Sequence, residues 1–254
     1  MIFALLSGFL VAVIIFHICA IKRYGMSAVI FKGIASALFV STGAWMLYHG
    51  YTQRPLPESL IPFIGNVYSE YYLYIFIGLI CGLLGDVLLA FRNLFTSKRK
   101  QFIALGMITF GLGHLVYAIA PTLSLIAINP AWIIVPGISG VVIALLIWKL
   151  APHLGMKLGK FTVPVILYSF IIVFLLSSIL LNCIICSSEN GFSIGNWKPF
   201  LPVLLFTISD FLLSMNYFDK EQKPMSAGQI IVIHVAYYLA QLLFALGFTL
   251  PSSL

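Results

Sequence analysis

Charge is what this chain has least of. Only 8% of its 254 residues are charged, and they comprise seven acids against fourteen bases. A soluble domain carries charge on about a quarter of its residues, so a soluble globular fold is excluded. Metal-ligand spacing is scarce as well. Of the five histidines, no two form a His-x-x-x-His pair on a helix, and a site built from His114, His234 and an aspartate finds no support in spacing. Cysteines number four. Cys19 and Cys81 lie in apolar runs and read as small buried residues. Cys183 and Cys186 follow the sixth apolar run, where the C-x-x-C spacing suits a disulfide and, with no second pair, does not complete a zinc site. No Gly-rich phosphate loop ending in Lys-Ser or Lys-Thr occurs.

What fills the chain is apolar: 61% of residues are hydrophobic and the mean hydropathy is +1.09. At about 20 apolar residues per spanning helix, the sequence predicts an all-α polytopic transmembrane helical bundle of about eight helices. The spans fall at about 2–21, 29–48, 70–91, 102–120, 130–150, 161–182, 199–218 and 228–250. They form a single transmembrane domain over 1–254, whose N-terminal run reads as a retained first helix.

The net charge of +7 is a topology signal rather than a sign of nucleic acid. Odd-numbered loops hold Lys22, Arg23, Arg92, Lys98, Arg99, Lys100, Lys149, Lys157, Lys160, Lys220 and Lys223, while even-numbered loops hold only Arg54 and Lys198. By the positive-inside rule the odd loops are cytoplasmic and both termini lie on the non-cytoplasmic side. This is an integral multi-pass protein, of the inner membrane if bacterial and of the endoplasmic reticulum membrane if eukaryotic. Its longest outer loops are expected at 49–69 and 183–198.

Two acids, Asp86 and Asp210, fall in the interior of spans. A carboxylate in hydrocarbon costs several kcal/mol unless paired or neutralised, so both are functional-site candidates. Helical spacing supplies their company. The eighth span carries His234, Tyr237, Tyr238 and Gln241 at i, i+3, i+4 and i+7, and the seventh carries Thr207, Asp210, Ser214 and Tyr217 on one face. The fourth pairs His114 with Tyr117. Such stripes face protein or water, and packing by interhelical hydrogen bonds is the competing account. At ~1.5 Å per residue, Asp86 lies roughly 9 Å in from Arg92, Asp210 roughly 15 Å in from Lys220 and His114 roughly 21 Å in from Lys100. Lys32 either snorkels to the headgroups or turns inward to Asp86. The expectation is a polar cavity opening at the inner leaflet, with a deeper apolar part.

The spans also echo one another. Asp86-Val-Leu-Leu and His114-Leu-Val-Tyr117 in the first half correspond to Asp210-Phe-Leu-Leu and His234-Val-Ala-Tyr237 in the second. A parallel four-plus-four repeat about the membrane normal would have this pattern, as would coincidence in such apolar sequence.

The segments 78–89, 110–117, 206–218 and 237–243 resemble the YhhN/TMEM86 family in order and spacing over spans two to eight. In span two this chain has Lys32-Gly33 where the family often has Lys-Pro. The resemblance implies a multi-helix membrane enzyme, a lysoplasmalogenase. Such an enzyme cleaves the vinyl ether of 1-alkenyl-lysophosphatidylethanolamine or lysophosphatidylcholine to a fatty aldehyde and a glycerophospho-base.

Vinyl ethers resist nucleophiles but accept a proton at the β-carbon, giving an oxocarbenium ion that water captures. The reaction needs one carboxylic acid kept protonated in a low-dielectric site and a second, ionised carboxylate. Asp86 and Asp210 are the expected catalytic pair. Lys32, His114, Tyr117, Asn216, His234, Tyr237, Tyr238 and Gln241 are the candidates for binding or orienting. Lys32 and Arg92 are candidates for the phosphate. The expected partners are a lysophospholipid substrate and bilayer lipid, with no nucleic acid, and neither metal nor cofactor is required. A proton-coupled lipid or small-molecule carrier is the alternative, since it too uses intramembrane acids in a cavity.

Overall fold

A computed structural model describes the backbone of residues 2–53 and 62–247, and the side chains of 3–48 and 73–247. Eight of its helices are long and apolar enough to cross a membrane, and among the described residues there is no strand. The reason is that hydrocarbon offers no partner for a backbone N–H or C=O, so each crossing segment must satisfy its own.

The helices are α1 (Ile2–Ile21), α2 (Gly25–Gln53), α3 (Pro62–Phe91), α4 (Arg99–Ile128), α5 (Ile134–Leu150), α6 (Thr162–Asn190), a short α7 (Ile194–Trp197), α8 (Phe200–Tyr217) and α9 (Ala227–Ala245). The seventh and eighth spans are thus α8 and α9. Several helices outrun the apolar runs that announce them, because a helix continues past the hydrocarbon for as long as its backbone bonds do. α6 continues through Ser187, Ser188 and Glu189 to Asn190 and stops at Gly191, whose φ of 78° is the left-handed geometry glycine favours. Cys183 and Cys186 therefore lie inside α6 rather than after it, buried and not joined in a disulfide. The 49–69 loop narrows likewise, since α2 reaches Gln53 and α3 begins at Pro62. Residues 54–61, including Arg54, lie outside the described residues.

Consecutive spans pair: α1 with α2, α2 with α3, α3 with α4, α5 with α6 and α8 with α9. Between the halves, α4 packs on α6 and α9 packs on α2. The fourth span of each half thus meets the second span of the other. α9 also touches α1 and α3 and closes the bundle, whereas α5 packs chiefly on α6 and turns Ile138, Val141, Val142 and Leu145 outward. On the side of the odd loops, Lys157 N–H donates to Phe218 O at 2.6 Å and Lys220 N–H to Gly155 O at 2.9 Å. These two bonds join the α5–α6 and α8–α9 connections.

Small residues let α3 approach its neighbours closely. A Cβ built on Gly78 would lie 2.3 Å from the Tyr117 ring, one on Gly85 2.6 Å from the Phe110 ring, and one on Gly82 2.6 Å from Gln241 Nε2. The Tyr117 ring is itself stacked on Phe244 at 4.3 Å and has nowhere to go. Gly78→Ala is therefore expected to lower stability by about 1–3 kcal/mol despite the better helix propensity of alanine. Thermal unfolding in detergent checks this; an unchanged or raised midpoint would show that α3 and α4 separate freely.

Candidate active site

The bundle gives Asp86 and Asp210 different surroundings. Asp86, on α3, is fully buried. Lys32 Nζ of α2 lies 3.0 Å from its Oδ1, so Lys32 turns inward rather than outward. One helical turn further along α2, Ser36 Oγ donates to Asp86 Oδ2 at 2.5 Å, and Tyr237 OH of α9 donates to the same oxygen at 2.7 Å. A cation and two hydroxyl donors hold this group as an acceptor.

A chain of hydrogen bonds extends from it. Tyr117 OH donates to Gln241 Oε1 at 3.1 Å, and Gln241 Nε2 donates to Tyr237 OH at 3.3 Å. Every donor in the series points toward Asp86, so each bond polarises the next toward its carboxylate. Tyr238 is buried on the same face of α9, but its hydroxyl makes no hydrogen bond.

Asp210, on α8, has no cation within ion-pair reach among the described residues other than His114. Tyr168 OH of α6 donates to its Oδ2 in a short hydrogen bond, and His114 Nε2 of α4 stands 4.0 Å from the same oxygen. His114 Nδ1 is bound to the Phe110 carbonyl at 2.7 Å, so it carries the proton and Nε2 is a buried lone pair without a partner. Both contacts to Asp210 fall on Oδ2, which leaves Oδ1 toward the cavity the residue lines. That cavity, about 370 Å3, is largely apolar, bounded by Met107, Phe110, Val165, Ile172 and Leu176 among others, with Ser169, Ser177, Thr207 and Ser214 as its further polar members. Between the two aspartates stands an aromatic wall. Phe110 and Phe206 pack with ring centroids 6.2 Å apart, and both meet Tyr237, at 5.9 and 5.3 Å.

A second cavity, about 490 Å3, opens at the end of the bundle that carries the odd loops and is basic: Arg23, Lys32, Arg92, Arg99 and Lys223 line it. Leu89 and Tyr217 line both cavities, so the two are neighbours. Lys32 joins the basic one to Asp86. Arg92 is buried, its guanidinium 3.6 Å above the Tyr217 ring, and burial pushes it below its ordinary pKa.

The structure thus brings Lys32, Tyr117, Tyr237 and Gln241 to Asp86, and His114 to Asp210. Asn216 stands apart on the rim of the basic cavity, with Nδ2 at 3.5 Å from Lys223 O. His234 lines that cavity too, edge-on to Phe16 at 4.9 Å and near His17 at 6.1 Å, and does not join His114. Ser36 and Tyr168 are residues the sequence reading missed. Ser36 was legible as the i+4 neighbour of Lys32. Tyr168 belongs to no polar stripe and carried no such signal. A Gly-x-Ser-x-Gly string does occur at Gly191–Gly195, but Ser193 caps α7 by accepting from Gly195 N and follows no strand, so it is not a nucleophile elbow.

Tyr168→Phe removes the one hydrogen-bond donor to Asp210 and leaves the ring in place. If Asp210 takes part in turnover, activity is expected to fall about tenfold with the fold retained, as a loss of one charge-assisted hydrogen bond would give; a rate assay beside a melting curve separates the two.

The sequence pattern of the YhhN family matches residues 60–248, a stretch that includes both aspartates and every helix from α3 to α9. No curated protein and no solved structure matches the chain.

Proposed function

The chain belongs to the YhhN family, and from that premise we propose that it is a membrane hydrolase cleaving the vinyl ether bond of lysoplasmalogens, with Asp210 carrying the proton transfers and Asp86 held as the negative charge that supports them. The observation that carries this reading is the unequal provision for two carboxyls beside adjoining basic and apolar cavities. Asp210, with one hydroxyl donor in an apolar wall, is suited to hold a proton. Asp86, with Lys32, Ser36 and Tyr237, is suited to hold a negative charge. Environment of this kind sets which of two carboxyls acts as acid.

In this scheme the alkenyl chain lies in the apolar cavity. Asp210 delivers its proton to the β-carbon, and the electron pair of the C=C bond forms the new C–H bond, leaving an oxocarbenium ion. Water adds to the α-carbon and gives its proton to the Asp210 carboxylate, forming a hemiacetal. Return of that proton to the glycerol oxygen breaks the C–O bond, while the Asp210 carboxylate takes the proton of the hemiacetal hydroxyl, so that the aldehyde carbonyl forms and the acid is regenerated. One water is consumed and no redox change occurs. Asp86 acts at one remove, its negative charge and hydrogen-bond chain opposing the positive charge that develops. We take the odd-loop end to be cytoplasmic, so that the headgroup enters from the inner leaflet.

Purified protein given lysoplasmenyl-ethanolamine or lysoplasmenyl-choline, with chelator present, is expected to release fatty aldehyde. A folded sample that releases none from either lipid would refute this reading and favour the carrier, for which the reciprocal packing of the two halves is the supporting observation.

A further inference from the structure

The basic cavity contains a charge that no carboxylate among the described residues neutralises. Arg92 is 8% exposed, and its Nε and Nη1 atoms are buried without a hydrogen-bond partner. A buried guanidinium that has a tyrosine for company and two nitrogens without a hydrogen bond is costly and calls for an anion. Of the cavity's other cations, Lys223 is paired with Glu221 and Lys32 with Asp86, whereas Arg23 and Arg99 meet no carboxylate among the lining residues. Lys32 is engaged by Asp86 on its far side.

Backbone geometry points to the same place. Arg23 and Gln222 have φ of 58° and 51°, the only left-handed non-glycine residues among the described ones, and both line this cavity. Arg23 follows the end of α1, where Tyr24 N–H bonds back to Cys19 O at 2.8 Å, a turn in which glycine is the usual occupant. A cationic side chain stands there at a cost in backbone strain.

We infer that this cavity seats the phosphoryl group of the lipid substrate, with Arg92 as its central ligand and Lys32 joining the seat to Asp86. Identifying the ligand as a lipid rests on the hydrolase reading above. The anionic seat itself rests on Arg92 and the cavity. Guanidinium donors suit phosphate oxygens, and Arg92 is already held in place by the Tyr217 ring. With no carboxylate on its lining, the cavity recognises the phosphate and not the amine of the headgroup. Ethanolamine and choline lipids are therefore expected to bind alike. Tyr217, shared by both cavities, sets the point at which headgroup gives way to chain.

The test uses full-length protein in a maltoside detergent and two lipids that cannot react: the saturated ether hexadecyl-glycerophosphoethanolamine and its phosphate-free counterpart hexadecylglycerol. The phosphorylated lipid is expected to bind about tenfold or more tightly than the neutral one. Arg92→Gln should abolish that preference and Arg92→Lys should retain part of it. Equal affinity for the two lipids in the wild type, or a preference undiminished in folded Arg92→Gln, overturns the inference. If Arg92→Gln does not fold, the exposed rim pair Arg23→Gln with Arg99→Gln takes its place: a reduced preference supports the seat, and an unchanged one removes it. Inorganic phosphate that binds as tightly as the phospholipid would make this a free-anion site and overturn the lipid assignment.

Assaying aldehyde release by the same wild-type preparation separates this inference from the hydrolase reading. A phosphate preference in a folded wild type that releases no aldehyde leaves the seat standing and the hydrolase reading refuted. Aldehyde release without any such preference does the reverse.

Discussion

Asp210→Asn is expected to lower aldehyde release from lysoplasmenyl-ethanolamine by roughly 10²–10⁴-fold, the range over which a general acid contributes. The protein should unfold within a few degrees of the wild type. The two halves of the prediction have separate causes. The amide keeps the shape of the side chain and an oxygen to accept from Tyr168, and no cation is left unpaired, so packing is preserved. An amide cannot give a proton to carbon, so the chemistry is not. Turnover within about tenfold of wild type would remove Asp210 from the acid role, since water delivered through the cavity would then be doing its work.

The second large effect concerns stability. Lys32→Met is expected to destabilise the bundle by about 3–5 kcal/mol, the cost of breaking a buried pair from one side. Asp86→Asn should cost less, for a physical reason visible in the two cavities: Lys32 lines the basic one and can turn its ammonium toward water, whereas Asp86 has no such exit. Removing both charges should restore part of the loss, with a coupling of about 0.5–3 kcal/mol in a double-mutant cycle. Additive losses would mean that the pair contributes nothing, and that Lys32 owes its position to the phosphate seat alone.

Particular residues show how much of this was legible beforehand. The polar face of α9 was visible as a spacing, and two of its members, Tyr237 and Gln241, do meet the surroundings of Asp86. His234 shares that stripe but sits a turn nearer the odd-loop end, against Phe16 and His17. A stripe states which face a residue occupies, not which neighbour it finds. Asn216 was a candidate for orienting, within the same family-resembling segment as Asp210. Six residues along a helix is nearly two turns, about 9 Å, enough to move it to the rim. Lys32 had two physically reasonable positions, and the choice between them depended on where Asp86 stood. The helix ends were misjudged wherever polar residues continued an apolar helix, as at Ser187 to Asn190 of α6.

Hydropathy, charge distribution and helical period are properties of single segments. By themselves they determined that this chain makes eight crossing helices, that Asp86 and Asp210 are the acids buried within them, and that polar groups line one side of α8 and α9. Which helices become neighbours was decided only in the folded bundle. Lys32 and Tyr237 come to Asp86 because α9 packs on α2 and α3, and Tyr168 and His114 come to Asp210 because α4 packs on α6 and α6 on α8. In a membrane the outward and inward faces of a helix are both apolar. Partner choice therefore rests on close fit, such as Gly78 against Tyr117 and Gly85 against Phe110, and on a few hydrogen bonds that form only once the helices have met.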